Sequence, residues 1–223
     1  RDFLKKLVVA GYNIMISGGT GSGKTTFLNT LSGFIPSDER IVTIEDSAEL
    51  QIQGITNLVR LETRNSAMEG CQEISIRDLI KTALRMRPDR IIVGEVRGKE
   101  TVDLMSAFNT GHDGSLSTAH ANSAFDLMSR MESMMLMGVD MPLSAIRRQI
   151  ASGVDIIVHL GRLRDRSRRV MEIAEVDGFR EEEICIKPLY QFTEISEDEN
   201  GRIIGELRRV HQLKHTQKLE QSR

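Results

Sequence analysis

Gly18-Gly19-Thr20-Gly21-Ser22-Gly23-Lys24-Thr25 fits the pattern G-x-x-x-x-G-K-[ST] at every fixed position. In such a loop the glycines let successive backbone N–H groups turn inward around a polyphosphate, because a positive φ costs glycine nothing. The spacing offers Lys24 to the β- and γ-phosphates and the Thr25 hydroxyl to Mg²⁺. Tyr12-Asn13-Ile14-Met15-Ile16-Ser17, just before, reads as a short buried strand. Thr26-Phe27-Leu28-Asn29-Thr30-Leu31, just after, reads as the opening of a helix whose N-terminal dipole faces the same anion. Strand, glycine loop and helix is the context the motif requires. A dinucleotide fingerprint is excluded, because Lys24 stands where its third glycine belongs.

Further along, Arg40-Ile41-Val42-Thr43-Ile44-Glu45 and Leu58-Val59-Arg60-Leu61-Glu62 read as strands, and Asn65 to Gln72 as a loop. Ile76, Leu79, Ile80, Ala83 and Leu84 share one face of a helix that Pro88 ends. Arg90-Ile91-Ile92-Val93-Gly94 is a short apolar strand of the kind buried in parallel sheets. The spacing predicts helices at 101–108, 124–137 and 143–152. It predicts strands at 115–118, 154–160 and 169–176, the last two placed so that they can pair as a hairpin. Strands alternating with helices imply an α/β fold, a mostly parallel sheet covered on both faces. Past Asp177 the pattern weakens, and the basic tail from Arg202 predicts a marginal helix or partial disorder. Residues 1–178 therefore read as one α/β domain, and 179–223 as an appendage of mixed strand and helix.

Three acid- or histidine-tipped strands supply candidates for hydrolytic chemistry, which needs a metal, a group to orient water and a sensor of the γ-phosphate. Glu95 directly follows the 90–94 strand, at the end that borders the ligand crevice of an open α/β sheet. Glu45, followed by Asp46, tips the 40–45 strand. Glu45 is the first choice for orienting water and Glu95 for the metal side; the opposite assignment stays open. His120, in Ser117-Thr118-Ala119-His120-Ala121-Asn122, is the candidate sensor. Arg60 and Arg64 are candidate arginine fingers, in cis or across a subunit boundary. Glu49 reads as a helix or turn acid. Met128, Met131, Met134 and Met135 read as a packing stripe. Arg162, Arg164, Arg166, Arg168 and Arg169 read as a solvated hairpin tip.

The chain has 223 residues and a formal net charge of −2, so its overall charge makes no case for nucleic acid. No apolar run reaches the length of a membrane-spanning helix. Cys71 and Cys185 lie far apart and read as small apolar residues rather than metal ligands. A start at Arg1, so close to the glycine loop, predicts a fragment of a longer chain.

The motifs together resemble the type II/type IV secretion ATPases, and most closely the tight-adherence pilus branch. The resemblance runs through the glycine loop, Arg40 to Asp46, Val59-Arg60-Leu61-Glu62-Thr63-Arg64, Leu84 to Gly98, Asn109 to Ser115 and Ser117 to Asn122. It implies a RecA-like ATPase domain working in a homo-oligomeric ring, usually a hexamer. The ring would lie in the cytoplasm, peripheral at the inner membrane, against platform proteins of a secretion or pilus system. It implies ATP held by Gly18, Gly19, Thr20, Gly21, Ser22, Gly23, Lys24, Thr25 and Thr26. Mg²⁺ would be held by Thr25 and Glu95, the latter directly or through water. It also implies an N-terminal domain, expected to be missing here, that completes the pocket.

Two rival readings remain at this level. One is a nucleic-acid translocating ATPase of RecA-like fold; its signature would be a basic, aromatic-bearing loop. Aromatic residues make up only 4 % of the chain, and no such loop stands out. The other is a nucleotide-binding interaction module without turnover.

Overall fold

The computed structural model describes residues 1–64 and 72–222. Among these, β1 (Ile14–Gly18), β2 (Arg40–Glu45), β3 (Asn57–Glu62), β4 (Arg90–Val93), β5 (Leu116–Ala119), β6 (Ile156–Arg162), β7 (Arg168–Arg180), β8 (Glu183–Glu197) and β9 (Ile203–Arg209) form one sheet. Their lateral order is β3-β2-β4-β5-β1-β6-β7-β8-β9. Every pairing from β3 to β6 is parallel. From β6 onward the sheet continues as an antiparallel meander.

Alternation along the strands divides the core into two layers. Ile14 and Ile16 of β1, with Ile41, Ile92 and Leu116, pack against Leu4, Leu7 and Val8 of α1 (Asp2–Val9) and Leu28 and Leu31 of α2 (Lys24–Ser32). Met15, Val42, Ile44, Ile91 and Val93 point to the opposite face. They meet α3 (Ile76–Ala83), α4 (Thr101–Asn109), α5 (Ala124–Leu136) and α6 (Leu143–Gly153). All four α5 methionines, Met128, Met131, Met134 and Met135, are buried in that layer, so the stripe is core. Ser75 and Asp78 close a capping box at the start of α3.

The entry to β1 is fixed by Asn13, which is 2 % exposed. Its side chain donates to the carbonyls of Phe108 and Gly153 and accepts from Ser115 N–H, tying together the loops before three strands. Arg90, at the amino end of β4, is buried against Glu39 and the Val8 carbonyl, far from the carboxyl ends of the strands.

The tail from Arg202 differs from the marginal helix or partial disorder that its charge predicts, because Ile203–Arg209 pairs with the strand before it. β7 runs on to Arg180, and β8 and β9 extend the sheet. Arg164 binds Glu194 and Glu197, and Asp165 accepts the Ile203 N–H, so the β6–β7 tip is fastened to the outer strands. A short helix, α7 (Gln217–Gln221), returns to the chain start, where Lys218 Nζ donates to Gly11 O, Asp113 and Asp155. Up to Cys71, the loop expected at Asn65 to Gln72 lies outside the described residues, as does the role expected of Cys71. Cys185 is a free, half-buried thiol.

Candidate active site

Four strands that are neighbours in the sheet, β1, β5, β4 and β2, end side by side, and each carries one candidate residue past its carboxyl end or at its tip. β1 leads into the glycine loop, β5 into His120, β4 into Glu95, and β2 ends on Glu45. The crevice along this edge has a volume of about 510 Å³, in the ordinary range for ligand pockets. Lys24, Thr25, Glu45, Glu95 and His120 all line it.

The loop obtains its shape from particular glycines. Gly21 and Gly23 have φ of 72° and 94°, conformations that side chains disfavour. At Gly18 a Cβ would come within 2.7 Å of the Leu160 carbonyl oxygen, so the close approach of β1 to β6 excludes any side chain. Gly23 is the N-cap of α2, and among the described residues no side chain caps that helix, so its first N–H groups face the loop as an anion site would require.

Lys24 is buried and donates to the carbonyls of Gly18 and Gly19 at 3.1 and 3.3 Å. Burial pulls its pKa down, while Glu95 opposes the shift. A buried ammonium beside a carboxylate is poised to exchange those carbonyls for phosphate oxygens. Its Nζ also lies 3.4 Å from His120 Nδ1. On the other side of the ring, His120 Nε2 stands 2.9 Å from Glu95 Oε1. That contact lacks hydrogen-bond alignment, and Glu95 Oε1 stays buried without a partner. The second oxygen, Oε2, accepts from Arg97 Nε at 2.8 Å, and Arg97 also approaches Asp46 at 3.7 Å. The Glu95 hydrogen bond raises the Arg97 pKa.

Glu45 is 5 % exposed. Its Oε1 accepts the backbone N–H of Glu49 and Leu50 at 3.0 and 2.8 Å. Burial pushes its pKa up, and these two N–H groups pull partly against that. Gly94 makes room for it: a Cβ at that position would lie 3.3 Å from Glu45 Cγ. Thr118 Oγ1 donates to the Gly94 carbonyl and locks the β4 tip to β5.

The donor set suits a hard cation. Thr25 Oγ1, the orphaned Glu95 Oε1 and nearby carboxylates are all oxygen donors. Among the described residues no cluster of three or more His, Cys, Asp or Glu forms a protein-only metal cage. Such an ion would therefore rely on Thr25, a carboxylate and the ligand's own phosphates.

Arg60 and Arg64 are not part of this cluster. Arg60 donates to the carbonyls of Leu50 and Ile52, bracing the 46–56 loop, and Arg64 donates to Gln72 O. The structure corrects two further readings. Glu49 is not merely a helix or turn acid, because it accepts the Thr25 hydroxyl at 3.3 Å in the crevice. Arg168 leaves the solvated hairpin tip and donates from Nε to the Gly21 carbonyl at 2.9 Å. Neither contact has a signal in local sequence, since both depend on where a loop and a hairpin fold back. His159 is half-buried against Ser17 Oγ at 2.9 Å, and burial lowers its pKa.

The family model described as "Type II/IV secretion system protein" matches residues 1–214. A putative conjugal transfer protein of Mycobacterium tuberculosis is 45 % identical over 168 residues, which is 75 % of this chain and 47 % of that protein. The type IV secretion system protein PtlH of Bordetella pertussis is 41 % identical over 182 residues, 79 % of this chain and 54 % of that protein. The chain thus spans about half the length of these relatives. The crystal structure of the VirB11 ATPase from the Brucella suis type IV secretion system, in complex with sulphate, superposes with a TM-score of 0.71 at 33 % identity. It covers 78 % of this chain and 51 % of that one. The sheet order, the glycine loop and the carboxyl-edge crevice described above are the RecA-like P-loop arrangement, and the chain belongs to the type II/IV secretion system protein family.

Proposed function

We propose that this chain is the ATP-hydrolysing motor domain of a type II/IV secretion or pilus-assembly machine. The observation that carries the reading is the convergence of Lys24, Glu45, Glu95 and His120 in one crevice, although 96 residues separate Lys24 from His120 along the chain. The glycine loop and the uncapped start of α2 receive the phosphates, with Thr20, Gly21 and Lys24 lining the crevice. Lys24 neutralises charge that builds on the β–γ bridge and the terminal phosphate. Thr25 and Glu95 would hold Mg²⁺, which when bound supplies further charge neutralisation at the phosphates. Glu45, fixed by two backbone N–H groups, is the carboxylate that positions and accepts a proton from the attacking water. Glu95 can take that role in exchange, because its Oε1 has no hydrogen-bond partner. His120 bridges Lys24 and Glu95, so occupation of the phosphate end changes a contact that the rest of β5 can sense.

Arg60 and Arg64 would reach a nucleotide only from a neighbouring copy in a ring. A hexameric ring at the cytoplasmic face of the inner membrane, membership of the tight-adherence pilus branch and contact with platform proteins belong to the same proposal; the motif resemblance supports them. Among the described residues no helix is long and apolar enough to cross a membrane.

The test is ATP binding and phosphate release by the wild type, Lys24→Ala and Glu95→Gln. Lys24→Ala should lose nucleotide binding. Glu95→Gln should bind and fail to turn over. Undiminished phosphate release in Glu95→Gln would overturn the assignment.

A further inference from the structure

The chain leaves β4 through a turn whose backbone is fixed on both sides of Arg97. Val96 is fully buried, and its N–H donates to the Thr118 carbonyl. Glu100, the N-cap residue of α4, accepts the N–H of Arg97 at 2.6 Å and that of Gly98 at 2.9 Å on one carboxylate oxygen. The Arg97 side chain sets out from this settled turn and folds back onto the residue two before it. Its Nε and Nη2 meet Glu95 Oε2 at 2.8 and 2.6 Å, and Nη1 lies 3.7 Å from Asp46 Oδ2.

By exposure alone this pair would be minor, since 64 % of the Arg97 side chain is in solvent and exposed ion pairs contribute little. Two N–H donors on one oxygen give it geometry, however, and the settled turn spares part of the entropy that a free arginine loses on pairing. The neighbouring charges show what the geometry prevents. Lys24 and Glu95 are an ammonium and a carboxylate in one crevice, separated only by the His120 ring. Opposite charges so placed attract strongly where water is scarce. Among the described residues Lys24 nevertheless forms no ion pair; its Nζ lies against the Gly18 and Gly19 carbonyls and His120. A Glu95 that swung onto it would occupy the N–H donors that a phosphate needs. With Oε2 committed to Arg97, the carboxylate is held back, and its Oε1 stays buried without a hydrogen-bond partner.

We propose that Arg97 is a positioning residue that acts through Glu95: it holds the carboxylate off Lys24 and so keeps the phosphate site open. The inference rests on the proposed function above, which gives Lys24 to the phosphates.

The test is calorimetric titration with ATP, once with Mg²⁺ and once with EDTA. It compares the wild type, Lys24→Ala, Arg97→Ala, Glu95→Gln and the double variant Arg97→Ala/Glu95→Gln. Arg97→Ala should weaken ATP binding about tenfold in both titrations. In the Glu95→Gln background no carboxylate is left to swing, and the same substitution should cost nothing. Equal losses in the two backgrounds would show that Arg97 meets the ligand itself or only supports the turn, and would overturn the proposal. Undiminished binding by Arg97→Ala, or a loss confined to the Mg²⁺ titration, would overturn it as well. Circular dichroism checks the fold, and Arg97→Gln takes the place of Arg97→Ala in the cycle should alanine disturb it. Failure of the underlying reading has a different signature: Lys24→Ala would bind ATP as the wild type does, or the wild type would bind none.

Discussion

His120 stands between Lys24 and Glu95, with Nδ1 3.4 Å from the ammonium and Nε2 2.9 Å from the carboxylate. An ammonium can only donate, so Nδ1 is the acceptor and Nε2 carries the hydrogen. The neutral ring therefore has one tautomer here, set by its partners. Burial holds the pKa of His120 below 6.5; Glu95 opposes this, and Lys24 and Arg97 reinforce it.

That shift has a definite sign in pH. The unfolded chain takes up this proton more readily than the folded one, so the stability involved is complete above 6.5 and is lost as pH falls through the lower folded value. His120→Asn should flatten the decline of Tm as pH falls below 6.5. An unchanged slope in the variant would show that the ring is not the group responsible.

Glu45 should control the acid limb of turnover. Its raised pKa means that the carboxylate is lost at a higher pH than for an ordinary glutamate. Hydrolysis should fall as pH drops through that value, and Glu45→Gln should lower kcat about 100-fold with nucleotide affinity kept. The same substitution should leave the protein less sensitive to rising pH between 4.5 and the folded value, where the buried acid ionises at a cost to stability. Equal kcat in the variant and the wild type would move the role to Glu95.

Gly18 and Gly19 are adjacent and should respond differently. A Cβ at Gly18 meets the Leu160 carbonyl at 2.7 Å, whereas one at Gly19 meets nothing within 4 Å. Gly18→Ala should cost roughly 2 kcal/mol, a fall in Tm of about 6 °C for a chain of this size. Gly19→Ala should leave Tm unchanged. Thermal denaturation of the two variants side by side decides it.

Arg60→Ala should loosen a loop rather than empty a site. The Leu50 and Ile52 carbonyls lose their donor, for a loss of about 1 kcal/mol and faster proteolysis within residues 46–56. Nucleotide affinity of the single chain should persist. Lost affinity with unaltered proteolysis would place Arg60 on the ligand instead.

The central parallel strands were legible because each is a short apolar run closed by a polar residue: Ile14 to Ser17, Ile41 to Glu45, Ile91 to Glu95. Burial on both faces leaves such a signal in the residues themselves. The β6–β7 hairpin was legible too, but the outer half of the meander was not, because β8 is exposed along most of its far half and its charged residues follow no period that sequence alone reveals. β9 buries only Ile203. The site divides in the same way. Lys24, Glu45, Glu95 and His120 are strand-end residues, which topology gathers at one edge. Glu49 and Arg168 reach the glycine loop or its helix from segments whose path is set by tertiary folding, and no local spacing records it.

The position of β1 in the sheet has a consequence for synthesis. Its two neighbours are β5 and β6, so its register is completed only by residues 116–119 and 156–160. Long-range pairings of this kind are slow to form, because loop closure precedes any gain from contact. A growing chain makes the glycine loop before either neighbour of β1; β5 follows by Ala119, and the second flanking strand only when Leu160 has been added. Nucleotide protection during translation should therefore begin abruptly and late, and ATP would act as a ligand of the finished sheet rather than as a template for its assembly.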